Sequence, residues 1–395
     1  MKILVSNVGS TSLKFKLYDM PKEKVLCEAK VERVGNMTSA IYSYKNCNTG
    51  YEKKETDLCI PSYKEGIEHF ISDMVSPENG VLDKINDVEG IGFKTVLSKG
   101  FYGVHELTDE VMQGMQERLF VAPVHNAAYI EAIKQFQSIL PGISMVGVFE
   151  TAFHTTIPLE RRLYSVPYEW YENNGLVKMG YHGASHSYIA QQALKNGKAD
   201  KIISCHLGGS CSICAIENGK SVDTSFGFSL QTGVMHANRC GDVDPYIVPF
   251  MIEEGMSMNE VLMGLSKKGG LLGISGVSND LREIEEAAAK GNERAQLAIK
   301  MFVRDVIRFI GAFYLELGGL DQIVFTGGIG ENAKAIRKMI CDELKPIGVC
   351  INDDENNTKK QGIISADDSA VLVSVIPANE ELGIARQTYK YICSK

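Results

Sequence analysis

Asn7-Val8-Gly9-Ser10-Thr11-Ser12 is the stretch on which the fold turns, because apolar runs flank it on both sides. Before it, Ile3, Leu4 and Val5 read as a buried strand. After it, Leu13, Phe15 and Leu17 alternate with Lys14, Lys16 and Tyr18, the period of two that marks a second strand. The segment is therefore a hairpin whose turn holds a Gly, two Ser, a Thr and an Asn, with Lys14 two residues past Ser12. Small residues let a phosphate approach backbone N–H groups, hydroxyls and the amide supply directed hydrogen bonds, and the lysine supplies charge. Standing alone, such a loop reads equally well as a plain surface turn.

It does not stand alone. Residues 202–206 read as a strand, 207–210 as a glycine-rich turn and 211–216 as the returning strand, followed by a turn at 217–220 and a further strand at 221–225. Two phosphate-type hairpins half a chain apart predict a duplicated α/β architecture of two domains around a nucleotide cleft. A third signal lies at Thr326-Gly327-Gly328-Ile329-Gly330-Glu331-Asn332, a glycine loop between the strand 322–325 and a helix. It is not the Gly-x-Gly-x-x-Gly dinucleotide pattern, but a loop leading into a helix N-terminus suits phosphate.

The remaining chain supplies the scaffold. Residues 25–60 read as strands with turns at Gly35-Asn36 and 48–50, and 64–74 as a helix with Ile67, Phe70, Ile71 and Met74 on one face. Residues 88–96 form a strand. Thr108 caps a helix with Val111, Met112, Met115 and Leu119 inward, and after a break at 122–126, Asn126 caps a helix running to 140. The buried strand 145–149 ends in Glu150, an acid at a strand end, where α/β sheets gather their sites. Asp280 closes the capping run of a helix to 290, and Asn292 caps a longer one whose Ile299, Phe302, Val303, Val306, Ile310, Phe313 and Leu317 form a core stripe. Residues 371–376 are the last strand, and Asn379-Glu380 opens the final helix.

Bulk properties narrow the function. A chain of 395 residues accommodates two domains, and 44% apolar with 23% charged residues is ordinary for a globular protein. A net charge of −8 argues against nucleic acid as a partner. The apolar runs fall short of the roughly 20 residues of a membrane span, and the N-terminal patch is too short for a signal peptide. The ten cysteines are scattered and read as reduced thiols of a cytoplasmic protein, with Cys211 and Cys214 packed in a strand rather than holding metal.

Taken together, ten segments resemble the acetate kinase (acetokinase) family from residue 1 to about 388: NVGSTSLK at 7–14, APVHN at 122–126, VFETAFH at 148–154, GYHGASH at 180–186, CHLG at 205–208, DTSFGF at 223–228, NRCGDVDP at 238–245, SNDLRE at 278–283, FTGGIGEN at 325–332 and IPANEELGIAR at 376–386. The resemblance implies the duplicated ribonuclease-H-like fold shared with actin, sugar kinases and the Hsp70 ATPase. It implies an N-terminal domain of 1–152 with the C-terminal helix 381–395, and a nucleotide-binding and dimerisation domain of 153–380. It also implies a homodimer, Mg²⁺ or Mn²⁺, and reversible phosphoryl transfer from ATP to a short carboxylate. Such transfer depends on alignment and charge stabilisation. His182 and His125 can donate to the moving phosphoryl group, Arg239 can grip it in a fork, and Glu150 completes the catalytic set. Ser10, Ser12 and Lys14 line the first turn, and the resemblance puts Asn7 and Glu380 on the metal. It assigns His206, Gly208, Gly209, Asp280, Leu281, Arg282, Gly327, Gly328, Ile329, Gly330 and Asn332 to ATP. Lys94, Val96, Val124, Tyr181 and Leu230 fall to the acyl pocket. His69, His105 and His236 read as packed or surface residues.

Departures from the family cluster on the acceptor side. Lys94 stands for an arginine and Glu150 for an aspartate; Val124, Tyr181, Leu230, Gly209 and the run His236-Ala237-Asn238 also differ. Lysine keeps the charge but loses the fork. Three readings stay open: acetate or propionate as acceptor with compensating substitutions, another short carboxylate whose hydroxyl meets Tyr181 or Lys99, and a weakly catalytic ATP-binding paralogue. A sugar kinase would need an aspartate base that the chain does not show.

Overall fold

The computed structural model describes residues 1–195 and 199–395. The chain divides into two compact units, Met1–Ala152 with Asn379–Lys395, and Phe153–Ala378.

In the first unit, β1 (Lys2–Gly9), β2 (Ser12–Asp19), β3 (Lys24–Glu32), β4 (Asn36–Asn46) and β5 (Glu52–Ile60) form an antiparallel meander. On the other side of β1 lie β6 (Gly90–Thr95) and, beyond the short β7 (Val104–Glu106) in sequence, β8 (Met145–Phe149), giving the order β5-β4-β3-β2-β1-β6-β8-β7. β6 runs parallel to β1, and β8 parallel to β6. Alternation assigns the faces. Phe15 stacks on Phe70 of the helix Tyr63–Met74 at 4.4 Å and meets Phe136 of the helix Pro123–Ile139 edge-on. Ile3 and Val5 of the neighbouring strand pack with Ile384 and Ala385 of the final helix, Glu380–Cys393.

The second unit repeats the plan. β9 (Lys201–His206), β10 (Ser212–Glu217) and β11 (Lys220–Thr224) are an antiparallel meander; β12 (Gln322–Thr326) is parallel to β9 and followed by β13 (Gly362–Ile363) and β14 (Leu372–Val375), in the order β11-β10-β9-β12-β14-β13. The five-strand cores β3-β2-β1-β6-β8 and β11-β10-β9-β12-β14 share one order, three antiparallel strands continued by two parallel ones. That is the ribonuclease-H-like sheet, present twice. The helix Glu293–Glu316 opens on Asn292, whose side chain accepts from the Ala295 N–H, and its stripe from Ala295 to Phe313 is buried.

Two expectations are corrected. Asn126 does not cap a helix: Pro123 at the first position starts that helix three residues earlier, and the buried Asn126 amide donates to the carbonyls of Leu97 and Met115. Leu119 lies beyond the helix Asp109–Gln116 and is not part of its buried face.

Candidate active site

The register pairs Gly9 with Ser12, so Ser10-Thr11 is a two-residue turn. Tyr63, overlooked in the sequence, donates its hydroxyl to the carbonyls of Gly9 and Ser10 at 2.8 and 3.1 Å and pins the turn from below. A Cβ on Gly9 would stand 2.6 Å from the Ser12 hydroxyl, so a side chain there would turn that hydroxyl out of its place in the turn. Asn7 faces Lys14 across the ladder; Ser12 and Asn7 are half-buried, and Ser10 and Lys14 exposed.

Lys94, Glu150 and Glu380 come from three distant stretches of this unit. Lys94 sits near the end of β6, Glu150 directly after the parallel β8, and Glu380 at the first position of the final helix. The Lys94 ammonium lies 3.1 Å from Glu150 Oε1 and donates to Glu380 Oε2 at 2.6 Å. Burial opposes its charge, yet the two carboxylates more than offset that and hold its pKa well above the ordinary lysine range. Burial pushes the Glu150 carboxyl up, with Lys94 pulling the other way and Glu380 adding to the rise. The buried Tyr129, not anticipated, feels the same three charges. Val96 is buried beyond β6, His125 is exposed on its helix, and the side chain of Val124 lies outside the described residues.

In the second unit, Gly180 and His182 both adopt left-handed backbone, φ +66° and +56°. Only glycine fits at 180, where a Cβ would meet the His154 ring at 2.5 Å. His154 donates from Nε2 to the Tyr181 carbonyl at 3.0 Å, which sets the peptide just before His182. The Tyr181 hydroxyl donates to the Phe228 carbonyl at 2.7 Å. His182 Nδ1 bonds the Ser212 hydroxyl at 2.8 Å, and its ring lies 4.2 Å from that of His206. Arg239 donates to the Leu230 carbonyl at 2.8 Å. Its guanidinium makes no ion pair among the described residues, and burial lowers its pKa. A half-buried cation without a counter-charge is a receptor for an anion.

The glycine loops meet in one cavity of about 540 Å³, lined by Gly208, Gly209, Asp280, Leu281, Arg282, Gly328, Ile329 and Asn332, with Ala237, Asn279, Glu285 and Ala333. Gly327 and Gly330 lie behind it, the first donating its N–H to Glu331. Asp280 caps the helix Leu281–Ala289 and grips Arg282 through two side-chain bonds, which holds its pKa down to about 2. His236 is fully buried; its Nδ1 accepts the Cys211 N–H and so braces the glycine turn. All ten cysteines are free thiols, and Cys211 and Cys214 are packed in the core.

Each unit thus gathers its candidates at the carboxyl ends of its parallel strands, Lys94 and Glu150 in one, His206 and the loop after Thr326 in the other. What the sequence hid are the supports: Tyr63, Tyr129, His154, His186, Ser204 and Ser212. His186 stood in view within the heptapeptide 180–186, in the first turn of the helix that follows His182.

A nucleotide-sized cavity walled by glycine loops on a duplicated ribonuclease-H-like fold defines an ATP-handling protein. A profile of the Acetokinase family matches residues 2–386, and the chain belongs to that family. It is 42% identical to the acetate kinase of Halothermothrix orenii, over 99% of this chain and 100% of that one. The acetate kinase of Methanosarcina thermophila matches at 42% identity, over 99% and 97%. Among solved structures, Porphyromonas gingivalis acetate kinase superposes with a TM-score of 0.89 at 35% identity, covering 99% of both chains. A propionate kinase from Francisella tularensis superposes at 0.90 and 34%, covering 98% of this chain and 99% of that one. Among the described residues, no helix is long and apolar enough to cross a membrane.

Proposed function

We propose that this chain is an ATP-dependent carboxylate kinase that reversibly transfers the γ-phosphoryl group of ATP to acetate or propionate, giving an acyl phosphate and ADP. The observation that carries the reading is the cavity in which the loops at Gly208-Gly209, Asp280–Arg282 and Gly328–Asn332 converge, on a chain that matches acetate kinases from end to end. The acceptor carboxylate is already ionised at neutral pH, so the site needs charge stabilisation and alignment rather than a base. His182, His125 and Arg239 suit charge stabilisation, as two histidine donors and a half-buried guanidinium without an ion pair among the described residues for the phosphoryl oxygens. The turn around Ser10, Ser12 and Lys14 adds hydroxyls, N–H groups and a cation.

Glu150 and Glu380, with Asn7, are the candidates for a divalent cation. Their chemistry fits one: the hard carboxylate oxygens of Glu150 and Glu380, which the Lys94 ammonium already draws to a single cationic point at 3.1 and 2.6 Å, are what Mg²⁺ or Mn²⁺ selects. Among the described residues no group of three or more His, Cys, Asp or Glu could hold a metal, and Mg²⁺ in general takes one or two carboxylates with phosphate and water as its other ligands. When bound, it would neutralise phosphate charge. Lys94 lies against both carboxylates and orients them.

The acceptor departures favour acetate or propionate over a hydroxylated acid. The Tyr181 hydroxyl donates to the Phe228 carbonyl, and Lys99 is paired with Glu117 at 2.8 Å, so a substrate hydroxyl would compete with bonds already made. We assign the metal to residues of the first unit, and the nucleotide chiefly to the glycine loops of the second. The second unit also exposes Tyr246, Phe250, Met258 and Leu262 on and beside the helices Ile247–Glu253 and Met258–Lys267, an apolar surface that suits a second copy in a homodimer. Ten unpaired thiols fit the cytoplasm.

Hydroxylamine trapping with ATP, Mg²⁺ and acetate, propionate, butyrate, lactate, glycolate and glycerate tests the reading. Acetate or propionate is expected to lead. A hydroxylated acid in the lead would reassign the pocket, and ATP binding without any acyl hydroxamate would leave a non-catalytic nucleotide-binding protein.

A further inference from the structure

We propose that Ser204, His186 and Ser212 form a directional hydrogen-bond chain that fixes His182 as the neutral tautomer with its proton on Nε2. The three act as positioning residues for the phosphoryl-facing side chain, and the inference rests on the role given to His182 above. Ser204 and Ser212 project from the paired strands β9 and β10, His186 from the helix Gly183–Lys195, and all three are fully buried. Ser204 Oγ bonds His186 Nδ1 at 2.9 Å, His186 Nε2 bonds Ser212 Oγ at 2.8 Å, and Ser212 Oγ bonds His182 Nδ1 at 2.8 Å.

Counting hydrogens sets the direction. Ser204 has one hydroxyl proton and, among the described residues, one partner, and leaving a buried O–H without an acceptor is costly, so it donates to His186 Nδ1. Burial, with His154 and His206 nearby, keeps His186 neutral, its pKa well below the ordinary histidine value. With Nδ1 accepting, its single proton sits on Nε2 and is donated to Ser212. The Ser212 proton then has one acceptor left, His182 Nδ1. His182 must carry its proton on Nε2. Reversing the chain would turn every bond round and strand the Ser204 proton. The result matters because a phosphoryl oxygen needs an N–H, whereas the other tautomer would turn a lone pair towards it. The His154 bond to the Tyr181 carbonyl and the left-handed φ of His182 hold the ring where the chain ends.

Imidazole ¹⁵N spectra of the full-length protein, with His182 assigned by its loss in His182→Gln, test the inference. Wild type is expected to show His182 with a protonated Nε2 and an acceptor Nδ1. Ser212→Ala should let the other tautomer rise at least about fivefold, the ratio expected from one buried hydrogen bond. Ser204→Ala, two bonds away, should move it part of the way, and Ser204→Thr, which keeps the hydroxyl, should restore it. With the best acceptor, kcat should fall about tenfold in Ser212→Ala, with KM for ATP and acetate within about twofold, the split of a lost transition-state interaction. His182 unmoved in both alanine variants, or found protonated on Nδ1 in wild type, overturns the inference. The spectra decide it even if no acid is phosphorylated, so its failure and that of the kinase reading are separable.

Discussion

At the scale of single residues, Lys94 and Glu150 show how two departures become one fact. Read along the chain they are separate exchanges, each unfavourable on its own: a fork lost, an acid arm lengthened. In the structure they touch, at 3.1 Å, with Glu380 on the other side of the ammonium. A lysine gives up the reach of a guanidinium, and the extra methylene of Glu150 closes the gap. No spacing rule exposes such a pair, because a helix pair and two further strands separate them along the chain. Lys94→Met is expected to leave two buried carboxylates without their cation and to lower stability by about 3–5 kcal/mol at pH 7.5. The loss should shrink at pH 5. Carboxyls whose folded pKa lies above the unfolded value contribute stability at low pH and lose it as pH rises through the folded pKa. Urea midpoints at the two pH values check this. Glu150→Asp withdraws the carboxylate from Lys94 and is expected to lower kcat about a hundredfold, the effect of misplacing a catalytic group by about 1 Å. Lys94→Arg should recover part of that loss, read from steady-state rates of the double variant.

At the scale of elements, the sequence was clearest where a turn carries its own chemistry. Both hairpins, the two capped helices at Asp280 and Asn292, and the final helix are legible because Gly, Ser, Asn and Asp at the joints state where regular structure stops. β7 and β13 are three and two residues long, too short for any alternation to show. The cap at Asn126 failed because a proline at the first helical position is the stronger signal, and the asparagine was needed inside, bonded to two carbonyls. The final helix ties element to site: Asn379 accepts the Leu382 N–H at 3.3 Å, and the next residue, Glu380, reaches Lys94. Asn379→Ala should cost about 1 kcal/mol of stability. It should also lower kcat more than its thermal shift implies, since the freed helix end carries Glu380, and comparing Tm with kcat across Asn379→Ala and Asn379→Ser separates the two effects.

At the scale of the whole molecule, the duplication was legible because both halves keep a phosphate-type hairpin, whereas the buried histidines were not, since burial is a property of the assembled core. His154 and His236 are desolvated, with pKa values pushed down to about 4 and about 3, and His186 lies well below its ordinary value for the same reason. A histidine starts near 6.5 when unfolded, so as pH falls below that the unfolded chain takes up protons the folded one refuses. Stability from these groups is complete above about pH 6.5 and drains away towards pH 4, on the order of 2 kcal/mol each between pH 7.5 and 5. Glu150, Glu285, Asp305 and Glu316 work in the opposite sense, their carboxyls being raised by burial, while Glu260, Asp280 and Asp342 are held down by their hydrogen-bond partners and add to the loss. The urea midpoint should therefore fall from pH 7.5 to pH 5, with the loss confined to Phe153–Ala378, where all three histidines lie. Trp170 is the sole tryptophan and belongs to that unit, so its fluorescence follows the affected half while circular dichroism follows both. His236→Asn keeps an acceptor for the Cys211 N–H but cannot titrate, and it should make the midpoint fall measurably less between pH 7.5 and pH 5. A slope unchanged in that variant would mean that the buried histidines do not set the acid limit of the fold.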